Sequence, residues 1–228
     1  MSEEVLVDVL AAGAQRFHRA PEVDRVPKNY GGNDHFALSG LQERKDLKDF
    51  DWTYNPKLPR RDILDLCALK FIDAREDALL IGPPGTGKSF VAKAVALMAV
   101  QRGYKVLYRE AHQLIEDIVE ARELGNIRKY RAQIKTLDLL IIDDLFLRRL
   151  PAGAGDELAD LLMGRYEKAS TLITSNRPFT DWSQLIGDVV VVTPLLDRLL
   201  HHGRLLNFDG KSWRLKEAAE RSITTPTE

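Results

Sequence analysis

The sequence predicts an α/β fold in three layers: a parallel five-stranded sheet with helices on both faces, preceded by a short helical amino-terminal arm. Three observations predict it. From Arg60 onward, short and almost wholly apolar runs alternate with stretches of helical periodicity, as they do when crossover helices bury a parallel sheet from both sides. The first apolar run opens into a glycine-rich turn that leads directly into a helix. A chain of 228 residues, 44% hydrophobic and 29% charged, supports one packed domain with at most a small appendage.

Each element follows in order. Leu6, Val9, Leu10 and Phe17 fall near helical spacing, with acids early and Arg16 and Arg19 late, so residues 4–19 read as one amphipathic helix. Prolines and glycines then mark a linker with short ordered pieces to about Pro59. A helix over 60–74, with Ile63, Leu64, Leu66, Cys67, Leu69 and Phe71 as its apolar residues, leads to the strand Ala78–Ile81. After the glycine turn come a helix to about Arg102, the strand Lys105–Tyr108, and helices at 111–123 and 126–135 broken at Gly125. The strand Leu137–Ile142, a helix at 154–168 and the strand Thr171–Thr174 follow. Thr193 as N-cap and Pro194 at the first helical position open a short helix to about 202, and Leu205–Phe208 is the last strand.

Composition excludes several classes. Lys and Arg number 33 against 34 Asp and Glu, so a uniformly basic nucleic-acid coat is ruled out, though a local basic stripe is not. The single cysteine, Cys67, rules out an intramolecular disulfide and a multi-cysteine zinc site, and fits a reducing compartment. Ala92–Val100 and Val189–Val192 are too short to span a bilayer, and the first residues are acidic where a signal peptide is basic. A cytoplasmic protein with no membrane partner is expected.

Gly82, Pro83, Pro84, Gly85, Thr86, Gly87, Lys88 and Ser89 fit G-x-x-x-x-G-K-[ST] in full, between a buried strand and a helix. Such a loop curls so that its N–H groups face phosphate oxygens. Lys88 is expected to reach the β- and γ-phosphates of ATP, and the Ser89 hydroxyl to ligate Mg²⁺. Leu139–Ile142 ends in Asp143 and Asp144. A parallel strand delivers that end to the ligand crevice, where Asp143 would hold Mg²⁺ and Asp144 would polarise the attacking water. Asn176, past the next strand, can orient that water, but an Asn just ahead of Arg177-Pro178 also suits a turn. Arg198, among apolar neighbours, can neutralise γ-phosphate charge on an adjacent subunit or form an ordinary salt bridge. His201 and His202, adjacent on a helix, point in different directions and read as solvated or capping residues rather than metal ligands.

Arg122, Arg128, Lys129, Arg131 and Lys135 face one acid, Glu123, in a single window, with Arg148 and Arg149 further on. Clustered cations of this kind suit DNA phosphates, and no base-reading motif accompanies them; an ordinary solvated helix face has the same look.

Four segments together resemble the IstB-like transposition helper ATPases, relatives of the DnaC/DnaI helicase loaders in the initiator clade of AAA+ proteins. They are the phosphate loop (82–89), Leu-Leu-Ile-Ile-Asp-Asp-Leu (139–145), Thr-Ser-Asn-Arg-Pro-Phe (174–179) and Leu-Leu-Asp-Arg-Leu-Leu-His-His (195–202). Asp49-Phe50-Asp51-Trp52 resembles the family's entry segment, and Gly-Lys-Ser-Trp-Arg-Leu-Lys (210–216) its end motif. The resemblance implies a P-loop NTPase core of AAA+ type over 47–218, an arm at 1–46 and a flexible tail at 219–228. It implies that Asn176 is the sensor-1 residue and Arg198 the arginine finger for a neighbour's site. It implies an ATP-dependent homo-oligomer on DNA that assists a transposase; a helicase loader, or a slowly hydrolysing nucleotide-gated scaffold, are the alternatives. Two departures stand out. Asp144 occupies a position where IstB-like members usually carry Glu, so its shorter arm predicts slow hydrolysis without DNA or a partner. Residues 1–46 offer one short helix where the family carries a compact helical domain.

Overall fold

The computed structural model describes residues 36–147, 150–151, 153–186 and 189–224. The expected helix at 4–19, and Arg148 and Arg149, lie outside the described residues.

The element order is α1 (Arg60–Cys67), α2 (Lys70–Asp73), β1 (Ala78–Ile81), α3 (Lys88–Gln101), β2 (Val106–Glu110), α4 (Ala111–Glu123), α5 (Ile127–Lys135), β3 (Leu139–Leu145), α6 (Ala154–Arg165), β4 (Ser170–Ser175), α7 (Phe179–Ile186), α8 (Val189–His201), β5 (Arg204–Asn207) and α9 (Trp213–Thr224). Every strand pairing is parallel, in the order β2-β3-β4-β1-β5. The predicted three-layer fold is therefore the observed one.

The strands alternate between two cores. Ala78, Leu80, Leu139, Ile141 and Leu172 pack with α1, α2 and α3 on one face. Leu79, Ile81, Leu140, Ile142 and Ile173 pack with α4, α5, α6, α7 and α8 on the other. This period of two, apolar in both phases, is why these strands read as continuous greasy runs. Since β1, β3 and β4 are parallel neighbours, their carboxyl ends meet at one edge of the sheet.

Four elements differ from expectation. The helix over 60–74 is two helices, because Leu69 takes a left-handed φ of 65° and turns its side chain into the core, where it is 1% exposed. Burial of that Leu outweighs the roughly 1–2 kcal/mol of backbone strain. Pro194 lies inside α8, not at its first position, so Thr193 is not its N-cap. The helix α7, absent from the sequence-based assignment, is pinned by Trp182, fully buried between Phe146 and Phe179. Residues 219–224, expected to begin a flexible tail, continue α9.

Candidate nucleotide site at the carboxyl edge of the sheet

The glycine-rich loop leaves β1 between its two neighbours. Gly82 donates to the Ser175 carbonyl of β4 at 3.2 Å, and Phe208, following β5, donates to Ile81 at 2.7 Å. A Cβ on Gly82 would sit 1.9 Å from the Phe208 carbonyl oxygen. Gly85 has φ 78°, and a Cβ there would lie 2.1 Å from Ser212 Oγ. No other residue fits either place. The Lys88 side chain curls back to donate to the Gly82 and Pro83 carbonyls, each at 2.7 Å, and is 3% exposed. Burial pushes its ammonium down to about 8 against the opposing pull of Asp144 and Asp143. The first turn of α3 carries no acid, so its free N–H groups and dipole favour an anion.

The two carboxylates sit on a β-bulge. From Ile142 to Leu145 the chain takes three steps while its partner β4 takes two, from Ile173 to Ser175. Asp144 absorbs the extra residue at φ 55°, a conformation Asp tolerates better than most. The bulge turns both consecutive carboxylates to the loop side, where an unbroken strand would send them to opposite faces. Asp143 is 3% exposed and accepts hydroxyl hydrogen bonds on both oxygens, from Tyr108 and from Thr174. The Thr174 hydroxyl also accepts from the Asp144 N–H at 2.9 Å. Asn176 Nδ2 donates to Asp144 Oδ1 at 3.1 Å. Burial first, then the charge of Asp143, raises the Asp144 carboxyl above its ordinary value, while Lys88, Arg214 and Asn176 oppose the rise.

The entry segment and the end motif clasp the loop between them. Phe50 lies so near Gly87 that a Cβ there would meet its ring at 2.7 Å, and Phe50 also packs on Trp52 and Phe90. Asn55 exchanges two hydrogen bonds with the Lys211 backbone, at 2.9 and 2.8 Å, and Tyr54 donates to the Ser212 carbonyl at 3.1 Å. Trp213 N–H then donates to Gly85 at 2.9 Å. This brings Arg214 near enough to influence both Lys88 and Asp144 electrostatically. Sequence reasoning passed over Arg214, Tyr108 and Thr174 as site residues. Arg214 stands inside the quoted end motif, Thr174 lies on β4 two residues before Asn176, and Tyr108 is the one aromatic of β2.

Other expected site residues lie elsewhere. Arg198 contacts Met163 Sδ at 2.9 Å and stands 5.8 Å from the Tyr166 ring, on the α6–α8 surface. In the basic window, Arg122 and Arg131 both bond Glu157, and Arg131 also reaches Asp160 at 3.4 Å. These acids of α6 cancel part of the window's charge, which leaves Arg128, Lys129 and Lys135 as its exposed cations with no described ion pair, the Lys135 stem lying against Gly164. A groove of about 390 Å³ between α4 and α5 is lined by Lys129 and Tyr130 and is remote from the phosphate loop. His201 and His202 do not diverge as expected: their rings are 4.1 Å apart, because His202 is already past the end of α8. With Glu167 they form an exposed cluster whose ligating atoms lie within 4.8 Å of one another. No helix among the described residues is long and apolar enough to cross a membrane.

Comparison with known proteins identifies the family and the fold. Residues 30–221 match the family model described as "IstB-like ATP binding protein". An insertion sequence IS5376 protein of Geobacillus stearothermophilus is 38% identical over 180 residues, covering 79% of this chain and 72% of the relative. An insertion sequence IS21 protein of Pseudomonas aeruginosa is 36% identical over 181 residues, covering 79% and 68%. Among solved structures, the DnaC helicase loader superposes with a TM-score of 0.60 at 17% identity, over 72% of this chain and 97% of that one. The replication initiator DnaA bound to AMPPCP and single-stranded DNA gives 0.63 at 22% identity, over 83% of this chain and 58% of that one. These likenesses establish a P-loop NTPase fold of AAA+ type. A match over most of the chain, joined to a phosphate loop facing a bulged acidic strand, places the protein in the IstB-like ATP-binding family.

Proposed function

We propose that the protein is an ATPase that binds ATP and Mg²⁺ at residues 82–89, assembles on DNA as a homo-oligomer and assists a transposase. One observation carries the ATPase part. Lys88, the pair Asp143 and Asp144, and Asn176, from three separate stretches of sequence, converge on the carboxyl ends of three adjacent strands. The loop N–H groups and Lys88 bind the triphosphate. Asp144, with its raised carboxyl and its Asn176 hydrogen bond, accepts the proton of the attacking water. Asp143 suits Mg²⁺: it is a hard oxygen donor, held rigid, with one lone pair on each oxygen beyond its hydroxyl partners. Ser89 opens α3 beside Lys88 and completes the set of ligands. When bound, Mg²⁺ offsets charge on the phosphate oxygens.

Arg198 acts in trans in this reading. It is exposed and stands on the α6–α8 surface, where a second subunit can present its loop. Arg128 and Lys129 are the leading DNA contacts, with Arg122, Arg131 and Lys135 in support. The insertion-sequence origin of the relatives favours a transposase as partner. The division at about residue 47 between arm and core belongs to the same reading, with the core extended through α9.

The experiment is an ATPase and light-scattering pair. Turnover that rises when DNA is added, with particles that grow in ATP and shrink in ADP, supports the reading. ATP-independent size and no turnover with or without DNA contradict it.

A further inference from the structure

The ATPase reading takes the rigid hold on Asp143 as given, and two hydroxyls supply that hold. Tyr108, on β2, donates to its Oδ2 at 2.5 Å, and Thr174, on β4, donates to its Oδ1. With a hydroxyl on each oxygen the carboxylate cannot rotate, and its remaining lone pairs point in fixed directions. Tyr108 is 6% exposed, so this bond is made in a buried setting where water cannot replace it. Phe at this position would leave a buried carboxylate oxygen short of a donor.

The Tyr108 backbone is held in turn by a segment ahead of the core. β2 is an edge strand, and its Tyr108 N–H donates to the Ser39 carbonyl at 2.7 Å. Residues 36–45 thus form a strap along that edge. Ser39 Oγ closes the strap's turn onto the Phe36 carbonyl at 2.7 Å. Glu43 pairs with Lys93 of α3 at 3.3 Å, and Lys93 stands 5.8 Å from the Tyr108 ring. Gly40 lets the strap come this close. Its φ is 74°, and a Cβ would lie 2.7 Å from the Tyr108 carbonyl oxygen and 2.2 Å from Arg109 Nη1.

We propose that Tyr108 is the positioning residue for Asp143, and that the strap at 36–45 sets Tyr108 through the Ser39 hydrogen bond. Movement of the amino-terminal segment is thereby felt at the cation-binding carboxylate. The proposal rests on the assignment of Asp143 to the Mg²⁺ that accompanies ATP.

The test is ATP binding by the full chain, followed calorimetrically across a Mg²⁺ series and in EDTA, for wild type, Tyr108→Phe and Gly40→Ala. An outer-shell partner of a metal carboxylate is worth about 10–100-fold in metal affinity. Tyr108→Phe should raise the Mg²⁺ concentration for half-maximal effect by that factor and leave binding in EDTA unchanged. Gly40→Ala, which keeps both Tyr108 and Asp143, should shift it in the same direction. A purely structural role would lower the melting temperature and leave the Mg²⁺ series where it was. Mg²⁺ dependence within threefold of wild type in both variants overturns the proposal, and an unchanged Gly40→Ala alone overturns the role of the strap. If Tyr108→Phe does not fold, Gly40→Ala decides. Wild-type ATP binding that ignores Mg²⁺ fails differently: it overturns the assignment of Asp143, and the proposal with it.

Discussion

Replacing Asp144 with Asn removes one negative charge and little else. Asn tolerates the left-handed φ of 55° as well as Asp does, so the bulge survives. The backbone bond from Asp144 to Thr174 at 2.9 Å does not involve the side chain. The amide oxygen can still accept from Asn176, now at 3.1 Å from Oδ1. What disappears is the proton acceptor. General-base catalysis contributes about 10²–10⁴-fold, so turnover should fall by that factor, roughly 3–5 kcal/mol on the barrier. ATP affinity should hold or tighten, because a carboxylate near the triphosphate is neutralised. The wild-type pH profile carries a second signature. The Asp144 carboxyl is raised above 3.8, so the acid limb of kcat/KM should lie above that value, with activity lost as pH falls and the base takes up its proton. The assay is phosphate release at saturating Mg²⁺–ATP with DNA present, beside calorimetric ATP binding. Turnover within threefold of wild type would refute the role given to Asp144.

Two further outcomes follow from the structure. Burial raises the Asp77 carboxyl from 3.8 to about 7, against the opposing Thr171 N–H and Arg165 charge. Between those values the folded state keeps a proton that the unfolded state has lost, so this group's stability is present below pH 3.8 and lost as pH rises through about 7. The loss amounts to about 4 kcal/mol at about 1.4 kcal/mol per unit. Urea unfolding at pH 5 and pH 8 spans about two of those units, so the difference between wild type and Asp77→Asn should change by about 3 kcal/mol; a pH-independent difference would show that Asp77 does not titrate there. Charge reversal of Arg128 and Lys129 should weaken DNA binding and flatten its salt slope by about 2. An unchanged slope in fluorescence anisotropy would place the DNA elsewhere.

The three central strands and their alternation with helices were legible in the sequence because β1, β3 and β4 are buried on both faces and read as largely apolar runs. The loop and the acidic pair were legible for a different reason: their chemistry is written in consecutive residues. What was not legible depends on contacts between distant segments. Nothing local in Leu64–Phe71 announces the left-handed Leu69, which only core burial rewards. The bulge that turns Asp144 is fixed by the β4 register, not by β3 alone. Tyr108 meets Asp143 across two strands. The basic window looked more cationic than it is, since Glu157 and Asp160 approach it from another helix.

The central claim is that residues 82–89 and the acidic bulge form one ATP site. Calorimetric titration of Mg²⁺–ATP into wild type and Lys88→Ala tests it most directly. The Lys88 ammonium is buried beside Asp143 and Asp144 and aimed at the loop, so its removal should weaken binding by about 100-fold, the roughly 3 kcal/mol of a charge-assisted contact, without unfolding the protein. Equal affinity in the two proteins would contradict the claim.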